Sequence, residues 1–408
     1  MLTVEEARGA VLARVGPLPP RACPLDEALG CTLAEDIRAD RDLPPFDKAL
    51  VDGYAVRSAD LTQGRLRLRV IEEITAGRVP SRPLAPGEAA AIMTGAPLPE
   101  GADVVVMVER TQRVGDVVIV DGEARVGPGT NRLARGREMR AGEIILRSGT
   151  SLNPPRLGLL ASVGRMSIAV IPRPFVAILP TGDEVVEPDH TPGPGQIRNS
   201  NGPMLQALVQ SQDASAAVLP IAPDEPEPLR DLLRRGLEAD LLLVTGGVSA
   251  GRKDLVPGAL ADLGVEQVFH QVRVKPGKPL WFGLGPRRGD GRPGALVFGL
   301  PGNPVSGLVS FLLFVAPALR ALAQRSDAGG EPRALYPLAV AFAHRGDRPT
   351  YHPSRLVPGR EGPTILPLDW AGSADLRAVA EADGFAAFPA GDRDYQAGAV
   401  VEFLAFPR

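Results

Sequence analysis

The stretch FVAILPTGDEV, Phe175 to Val185, decides how the chain is read. An apolar run ends at Pro180 and gives way to the small and polar residues Pro180-Thr181-Gly182-Asp183-Glu184. A short apolar run closed by a turn signal is the pattern of a buried strand. The same arrangement returns twice. LLLVT runs into Thr245-Gly246-Gly247-Val248-Ser249-Ala250-Gly251, and ALVFGL runs into Leu300-Pro301-Gly302-Asn303-Pro304. Helical stretches lie between these runs, Pro203 to Gln210 among them, and a long one follows Pro304. That alternation predicts a parallel-rich sheet covered by helices on both faces. Open α/β sheets bind ligands at the carboxyl ends of their strands, where glycines let backbone N–H groups approach an anion. Three such loops at one sheet edge predict a large anionic ligand.

The pattern changes on either side of this segment. Thr3 to Val15 reads as an amphipathic helix, with Thr3 as cap, Glu6 three positions on, and Val4, Ala7, Val11, Leu12 and Val15 on one face. A short second helix is expected over Leu25 to Leu29, stopping at Gly30. From about Pro44 to Gly149, short apolar runs such as Arg67 to Ile74 and Asp116 to Val120 alternate with Gly and Pro, which predicts a mainly β segment. Beyond the linker Asp327 to Pro332, short strands such as Ala387 to Pro389 and Val400 to Phe406 predict a small C-terminal β-barrel or sandwich. A chain of 408 residues is too long for one ordinary core. The expected division is an N-terminal linker domain of residues 1–43 plus 141–172, a mainly β domain over 44–140, an α/β domain over 173–326 and a C-terminal β domain over 327–408.

Composition narrows the function. With 44% hydrophobic and only 4% aromatic residues, the core must be mostly aliphatic. A net charge of −3 and a pI near 5.9 provide no broad positive field, which argues against a nucleic-acid partner held mainly through phosphates. Cys23 and Cys31 fit no metal-ligand spacing, and a chain otherwise without thiols suits a reducing compartment. The N-terminus carries Glu5 and Glu6 and no signal-type apolar stretch, so a cytoplasmic protein is expected. The longest apolar run, Val305 to Ala323, is interrupted by Gly307, Pro317 and Arg320 and reads as a buried helix rather than a membrane span.

Lysine is scarce. Of 45 basic residues only Lys48, Lys253, Lys275 and Lys278 are lysines. Where arginine fills ordinary surfaces, lysine is expected where a compact ammonium does what a planar guanidinium cannot. Lys275 and Lys278 bracket a Pro-Gly turn in VKPGKP and could direct two point charges at phosphate groups. Candidate carboxylates are Asp52 in VDGYAV, Asp183 and Glu184 in PTGDE, Asp224, and Asp254 after the glycine loop. Beside phosphates such groups suit Mg²⁺, which is typically held by one or two carboxylates plus the substrate. His190, His270, His344 and His352 show no zinc-ligand spacing.

Taken together, PPFDKALVDGYAVR, IMTGAPLPEGADVVVMVE, LPTGDEV, GQIRNSNGPML, TGGVSAGRKD, VKPGKP and FGLPGNPVS stand in the order found in the molybdopterin molybdenumtransferase family. That is the family of bacterial MoeA and the corresponding domain of gephyrin. The likeness covers essentially the whole chain, including Trp370-Ala371-Gly372-Ser373 and Ala382-Asp383-Gly384-Phe385. The resemblance implies a cytoplasmic homodimer whose subunits share a cleft. It also implies insertion of molybdate into adenylated molybdopterin, with Mg²⁺-dependent hydrolysis and release of AMP. Contact with the molybdopterin adenylyltransferase would follow from that chemistry, whereas nucleic acid and membrane are not expected partners.

Carried onto matching positions, the resemblance makes Asp52, Glu184, Asp254 and Glu138 catalytic and gives Asp224, Asp254 and Glu184 to the metal. It assigns substrate binding to Thr94, Gly95, Thr181, Gly182, Ser200, Asn201, Gly246, Gly247, Ser249, Lys275, Lys278, Pro301, Gly302, Asn303, Ser306 and Ser373. One place departs from the family pattern. Where the family reads Asn-Val-Arg followed by Gly-Glu-Asp, this chain has Asn131-Arg132-Leu133 and Gly136-Arg137-Glu138, so Leu133 replaces an arginine and Glu138 an aspartate. Two other readings share some of these motifs. An adenylyltransferase would use a similar α/β domain but lack the VDGYAVR and IMTGAP strings, and a non-enzymatic scaffold would not need every lysine and carboxylate.

Overall fold

The computed structural model describes residues 1–63, 66–121, 126–248, 255–289, 292–325 and 334–407. These form two compact units, one of residues 1–34, 149–154 and 167–408, the other of residues 35–148 and 155–166.

The first unit is built on a six-stranded sheet. Its strand order is Ser215–Val218, Phe175–Pro180, Leu241–Thr245, Leu296–Leu300, Trp281–Leu284, Glu266–His270. The first four strands are parallel, and Trp281–Leu284 runs antiparallel to both of its neighbours. Leu241–Thr245 is buried at every position, as a central strand covered on both faces must be. Its alternate side chains feed two cores. Leu241 and Leu243 join the side that includes the helix Asn201–Gln210 and the long helix, whereas Leu242 and Val244 pack with Leu229 and Leu233 of the helix Pro226–Gly236. The FVAILP strand leaves at Pro180 as expected, and the helix expected from Pro203 begins two residues earlier, at Asn201.

The apolar run after Pro304 forms a continuous helix, Pro304–Leu322, with a π-helical stretch over Phe311–Val315. It is long and apolar enough to cross a membrane, yet 94% of its apolar window is buried inside the protein, as a core helix is. Arg320, its one charge, is 5% exposed and donates from Nη1 to Gln212 Oε1 at 3.1 Å. The N-terminal helix, Val4–Leu12, packs Val4, Ala7 and Val11 into the same core. Thr3 and Glu6 form the anticipated capping box, with Glu6 N donating to Thr3 Oγ1 at 3.1 Å and Thr3 N to Glu6 Oε2 at 2.8 Å. The second expected helix is only a 3₁₀ turn over Leu25–Glu27, because the chain reverses at Gly30 (φ +77°) and returns as Thr32–Leu33.

At the C-terminal end, the strands Ala334–Pro337, Val400–Ala405, Gly384–Phe388, Thr350–Gly359 and Gly362–Pro367 form a five-stranded sheet in that order. Leu338 bridges Ile365, and Ala339 N donates to Ile365 O at 2.7 Å, which joins the two edges and closes the sheet into a small barrel. The strand expected at Ala387 to Pro389 instead occupies Gly384–Phe388. Proline cannot donate to the ladder, so Pro389 ends the strand rather than extending it.

The second unit carries a mixed sheet of six strands in the order Val104–Met107, Gly53–Val56, Glu88–Ile92, Arg67–Ile74, Val117–Val120, Thr111–Val114. Successive residues enter opposite cores. Ala55, Ala90 and Val105 pack on one face, and Tyr54, Val56, Ala89, Val104 and Val106 on the other. This is why Gly53–Val56, Glu88–Ile92 and Val104–Met107 read as short apolar runs without polar alternation.

Candidate functional site

The parallel strands reverse their order of addition at Phe175–Pro180. The next strand of this sheet along the chain, Ser215–Val218, lies on one side, and the one after it, Leu241–Thr245, on the other. Such a switch point opens a crevice at the carboxyl ends of the two strands it separates. Here Thr181-Gly182 and Gly246-Gly247 face each other across it. Thr181 N donates to Thr245 O at 2.9 Å, and Gly246 N donates to Leu300 O at 3.1 Å, which ties the PTGDE, TGGV and PGNP loops to one another. Gly246 has φ +91°, and a Cβ there would lie 2.8 Å from the Thr181 carbonyl oxygen, so only glycine lets these loops approach so closely.

A cavity of about 530 Å³ opens between the loops. Thr181, Glu184, Ser200, Asn201, Gly246, Gly247, Pro301, Gly302 and Asn303 all line it. Gly182 does not line the wall but shapes it: at φ +126° it curls so tightly that a Cβ would sit 2.5 Å from Glu184 Oε2. Asn201 donates from Nδ2 to Gly302 O at 2.7 Å, while its buried Oδ1 has no partner among the described residues. An acceptor left unpaired in a cavity wall invites a ligand donor.

The VKPGKP turn borders a second cavity, also about 530 Å³, which shares Pro279, Pro301 and Asn303 with the first. Lys275, Lys278, Ser306 and Ser373 line it, and so does Arg348. The turn is fixed from the C-terminal region, where Lys275 N donates to Pro349 O and Tyr351 N to Lys275 O, both at 2.8 Å. Arg348 donates from Nη1 to Val274 O at 3.1 Å. Ser373 is held beside the PGNP loop, with Asn303 Nδ2 donating to Ser373 Oγ at 2.8 Å and Val305 N to Ser373 O at 3.1 Å. Three cations and two hydroxyls around one cavity suit an oxyanion.

Asp52, Thr94, Gly95 and Glu138 belong to the other compact unit and form a group of their own around Lys48–Asp52. Thr94 donates to Asp52 Oδ1 from its backbone N at 2.7 Å and from its hydroxyl at 2.8 Å. These two bonds, the backbone one foremost, hold the Asp52 carboxyl below its usual range and keep it ionised. Gly95, at φ +84°, turns the chain so that its N–H donates to Ala49 O at 2.8 Å. Lys48 Nζ lies 3.2 Å from Glu138 Oε1, and Leu133 pairs with Lys48 across a two-residue ladder. The missing arginine is thus replaced by an apolar side chain next to the only lysine of this unit.

Of the expected metal ligands, Glu184 lines the first cavity and Asp224 lies on the neighbouring loop, where its N–H donates to Asp183 Oδ1 at 2.9 Å. Asp254 and Ser249 lie outside the described residues. Among the described residues no three acidic, histidine or cysteine side chains gather as a metal cage. A hard cation held by one or two carboxylates and a bound phosphate fits the described donor set.

Comparison with known proteins places this arrangement. The profile for the MoeA N-terminal region (domains I and II) matches residues 2–164, that for the "Probable molybdopterin binding domain" residues 177–321, and that for the MoeA C-terminal region (domain IV) residues 336–406. Molybdopterin molybdenumtransferase of Staphylococcus aureus is 30% identical over 414 aligned positions, covering 99% of this chain and 95% of its own. The chain belongs to the MoeA family. A second family member, molybdopterin molybdenumtransferase of Staphylococcus epidermidis, is 33% identical over 93% of this chain and 90% of its own. The crystal structure of the molybdopterin biosynthesis MoeA protein from Pyrococcus horikoshii superposes with a TM-score of 0.80 at 31% identity, covering 100% of this chain and 99% of its own.

Sequence reading missed Arg348. It is one arginine among many and stands in no glycine-rich loop. Only the fold brings the barrel segment 348–351 against Val274 and Lys275. Asn199 was also missed. It is 5% exposed, and its Oδ1 accepts from Gly202 N at 2.9 Å, which caps the helix that carries Asn201 into the cavity.

Proposed function

We propose that this chain inserts molybdate into adenylated molybdopterin and releases AMP, completing the molybdenum cofactor. The observation that carries the reading is the pair of adjoining cavities, one glycine-lined at the switch point, the other bordered by Lys275, Lys278 and Arg348. A nucleotide-bearing pterin needs the first. A tetrahedral dianion suits the second, since ammonium and guanidinium groups offset its charge while Ser306 and Ser373 supply directional donors.

In this reading, Gly246 and Gly247 bring the main chain close to the phosphoanhydride, and Asn201 and Ser200 fix the ligand's orientation. Lys278 and Lys275 oppose the negative charge that accumulates when water attacks phosphorus and the P–O bond to the leaving phosphate breaks. The two sulfurs that take molybdenum are the pterin's own, because Cys23 and Cys31 are buried and line neither cavity. Mg²⁺, when bound with Glu184 and the substrate phosphates, would screen their charge and acidify a water. Asp224 and Asp254 are assigned to the same cation. Asp52 and Glu138 are assigned as further catalytic carboxylates, and the site would be completed in a cytoplasmic homodimer that receives its adenylated substrate from the adenylyltransferase.

The deciding measurement is AMP release from adenylated molybdopterin, with molybdate and Mg²⁺ each present or withheld. Release should require both, and equal rates in their absence would overturn the scheme.

A further inference from the structure

At the opposite edge of the central sheet lies a third cavity, of about 400 Å³, within the size range of small-molecule sites. It is bounded by residues that precede Leu241–Thr245 and Leu296–Leu300, by Leu284 to Arg288, and by the segment Gly16 to Pro19 that follows the first helix. These strands end at the phosphate-binding loops, so the cavity stands a full strand length away, roughly 15–20 Å. It shares no lining residue with either cavity described above.

Its chemistry is two-sided. Among the described residues, the charged groups that line it are Arg14, Arg287, Arg288 and Arg292 with Asp240 and Glu266. Asp240 is already engaged, since one oxygen accepts from Phe175 N at 2.9 Å and the other lies 3.5 Å from Arg288 Nη2. Arg288 also donates to Ala239 O, yet its buried Nε has no acceptor among the described residues. Arg287 is exposed and makes no hydrogen bond or ion pair among them. The remaining wall is apolar, made by Leu18, Leu284, Leu296 and Leu322, with Leu18 N donating to Leu322 O at 2.9 Å to fix its floor. Among the described residues the guanidinium groups outnumber the carboxylates, and Arg14 and Arg287 face no lining carboxylate that pairs with them, so a neutral ligand would leave these donors without partners. An anion that brings an apolar body satisfies both surfaces at once.

We propose that this cavity binds a small organic anion, its carboxylate or phosphate held by Arg14 and Arg287 and its apolar part seated against Leu18, Leu284 and Leu322. The proposal is independent of the cofactor chemistry assigned to the other edge, so its test needs no turnover. The probe is 8-anilinonaphthalene-1-sulfonate, titrated by fluorescence and calorimetry into the full-length protein. A saturable site is expected that is at least about tenfold weaker in the Arg14→Ala/Arg287→Ala double variant. Lys275→Ala/Lys278→Ala, at the other edge, should leave that affinity unchanged. Both arginines are exposed and Arg14 gives up only its Nη1 bond of 3.1 Å to Ala10 O, so the variant should melt within a few degrees of the wild type. Displacement of the probe by phenyl phosphate or by benzoate supports the assignment and tells which head group is preferred. The idea is overturned by non-saturable binding, by affinity indifferent to the arginines, by failure of both competitors, or by equal binding of uncharged N-phenyl-1-naphthylamine.

Discussion

Gly246 shows how much of the site hangs on single atoms. An added methyl group would meet the Thr181 carbonyl at 2.8 Å, and φ +91° is unfavourable for any L side chain. Gly246→Ala should destabilise the protein by roughly 1–3 kcal/mol in thermal or denaturant unfolding and should depress AMP release beyond what the lost stability explains. The lysines carry a different kind of dependence. Lys278→Ala should reduce AMP release at least about tenfold, and Lys278→Arg should not restore it, because a planar fork cannot take the place of a compact ammonium. If the arginine variant turns over normally, the scarcity of lysine in this chain has no chemical meaning. Neither prediction needed the coordinates to be suspected. The glycine loops and the rare lysines stood out in the sequence because composition elsewhere made them unusual, whereas Arg348 was hidden among ordinary arginines.

At the level of elements, the N-terminal helix depends on its cap. Thr3→Ala removes the hydroxyl that accepts from Glu6 N and should cost about 1 kcal/mol, read as a lowered melting temperature. In the mixed sheet, the strand Glu88–Ile92 begins with a carboxylate clamped by two guanidinium groups. Arg82 contributes bonds of 2.8 and 2.9 Å, Arg69 one of 2.8 Å, and Ala85 N–H a further one of 3.1 Å. Arg82 first, then Arg69 and the amide, pull the Glu88 carboxyl down from 4.5 to about 2. Because the folded state holds this proton less tightly than the unfolded chain, the stabilisation is complete above pH 4.5 and drains away as pH falls towards 2. Glu88→Gln should therefore lower stability at neutral pH by roughly 1–2 kcal/mol, the exposed arginines being screened, and should flatten the acid limb of a stability–pH curve. An unchanged acid limb would show that the clamp contributes nothing. Elements with strong local signals, the capped helix and the strands ending in Pro-Thr-Gly or Thr-Gly-Gly, are legible in sequence. The helix expected at Leu25 is not, because Gly30 and the returning strand override a three-residue helical preference.

For the whole molecule, the proposed homodimer predicts a mass near twice 42.9 kDa in sedimentation equilibrium at micromolar concentration. A stable monomer that turns over fully would remove the need for a shared cleft. Mixing Asp52→Ala with Asp254→Ala subunits should restore part of the activity if those carboxylates act from opposite chains. The sequence by itself determined the family, the alternation of strands and helices in the α/β segment, and the glycine loops and rare lysines to which charge chemistry is proposed. Each of these is written in short windows, as buried runs, turn residues or rare residue types. Only the tertiary structure decided the order of strands that makes a crevice between Thr181 and Gly246. It also decided the closing of the C-terminal sheet through Leu338 and Ile365, and the arrival of Arg348 and Ser373 beside the VKPGKP turn. Those contacts join residues far apart in the chain, and no local propensity encodes a partner that the chain meets only after its cores have packed.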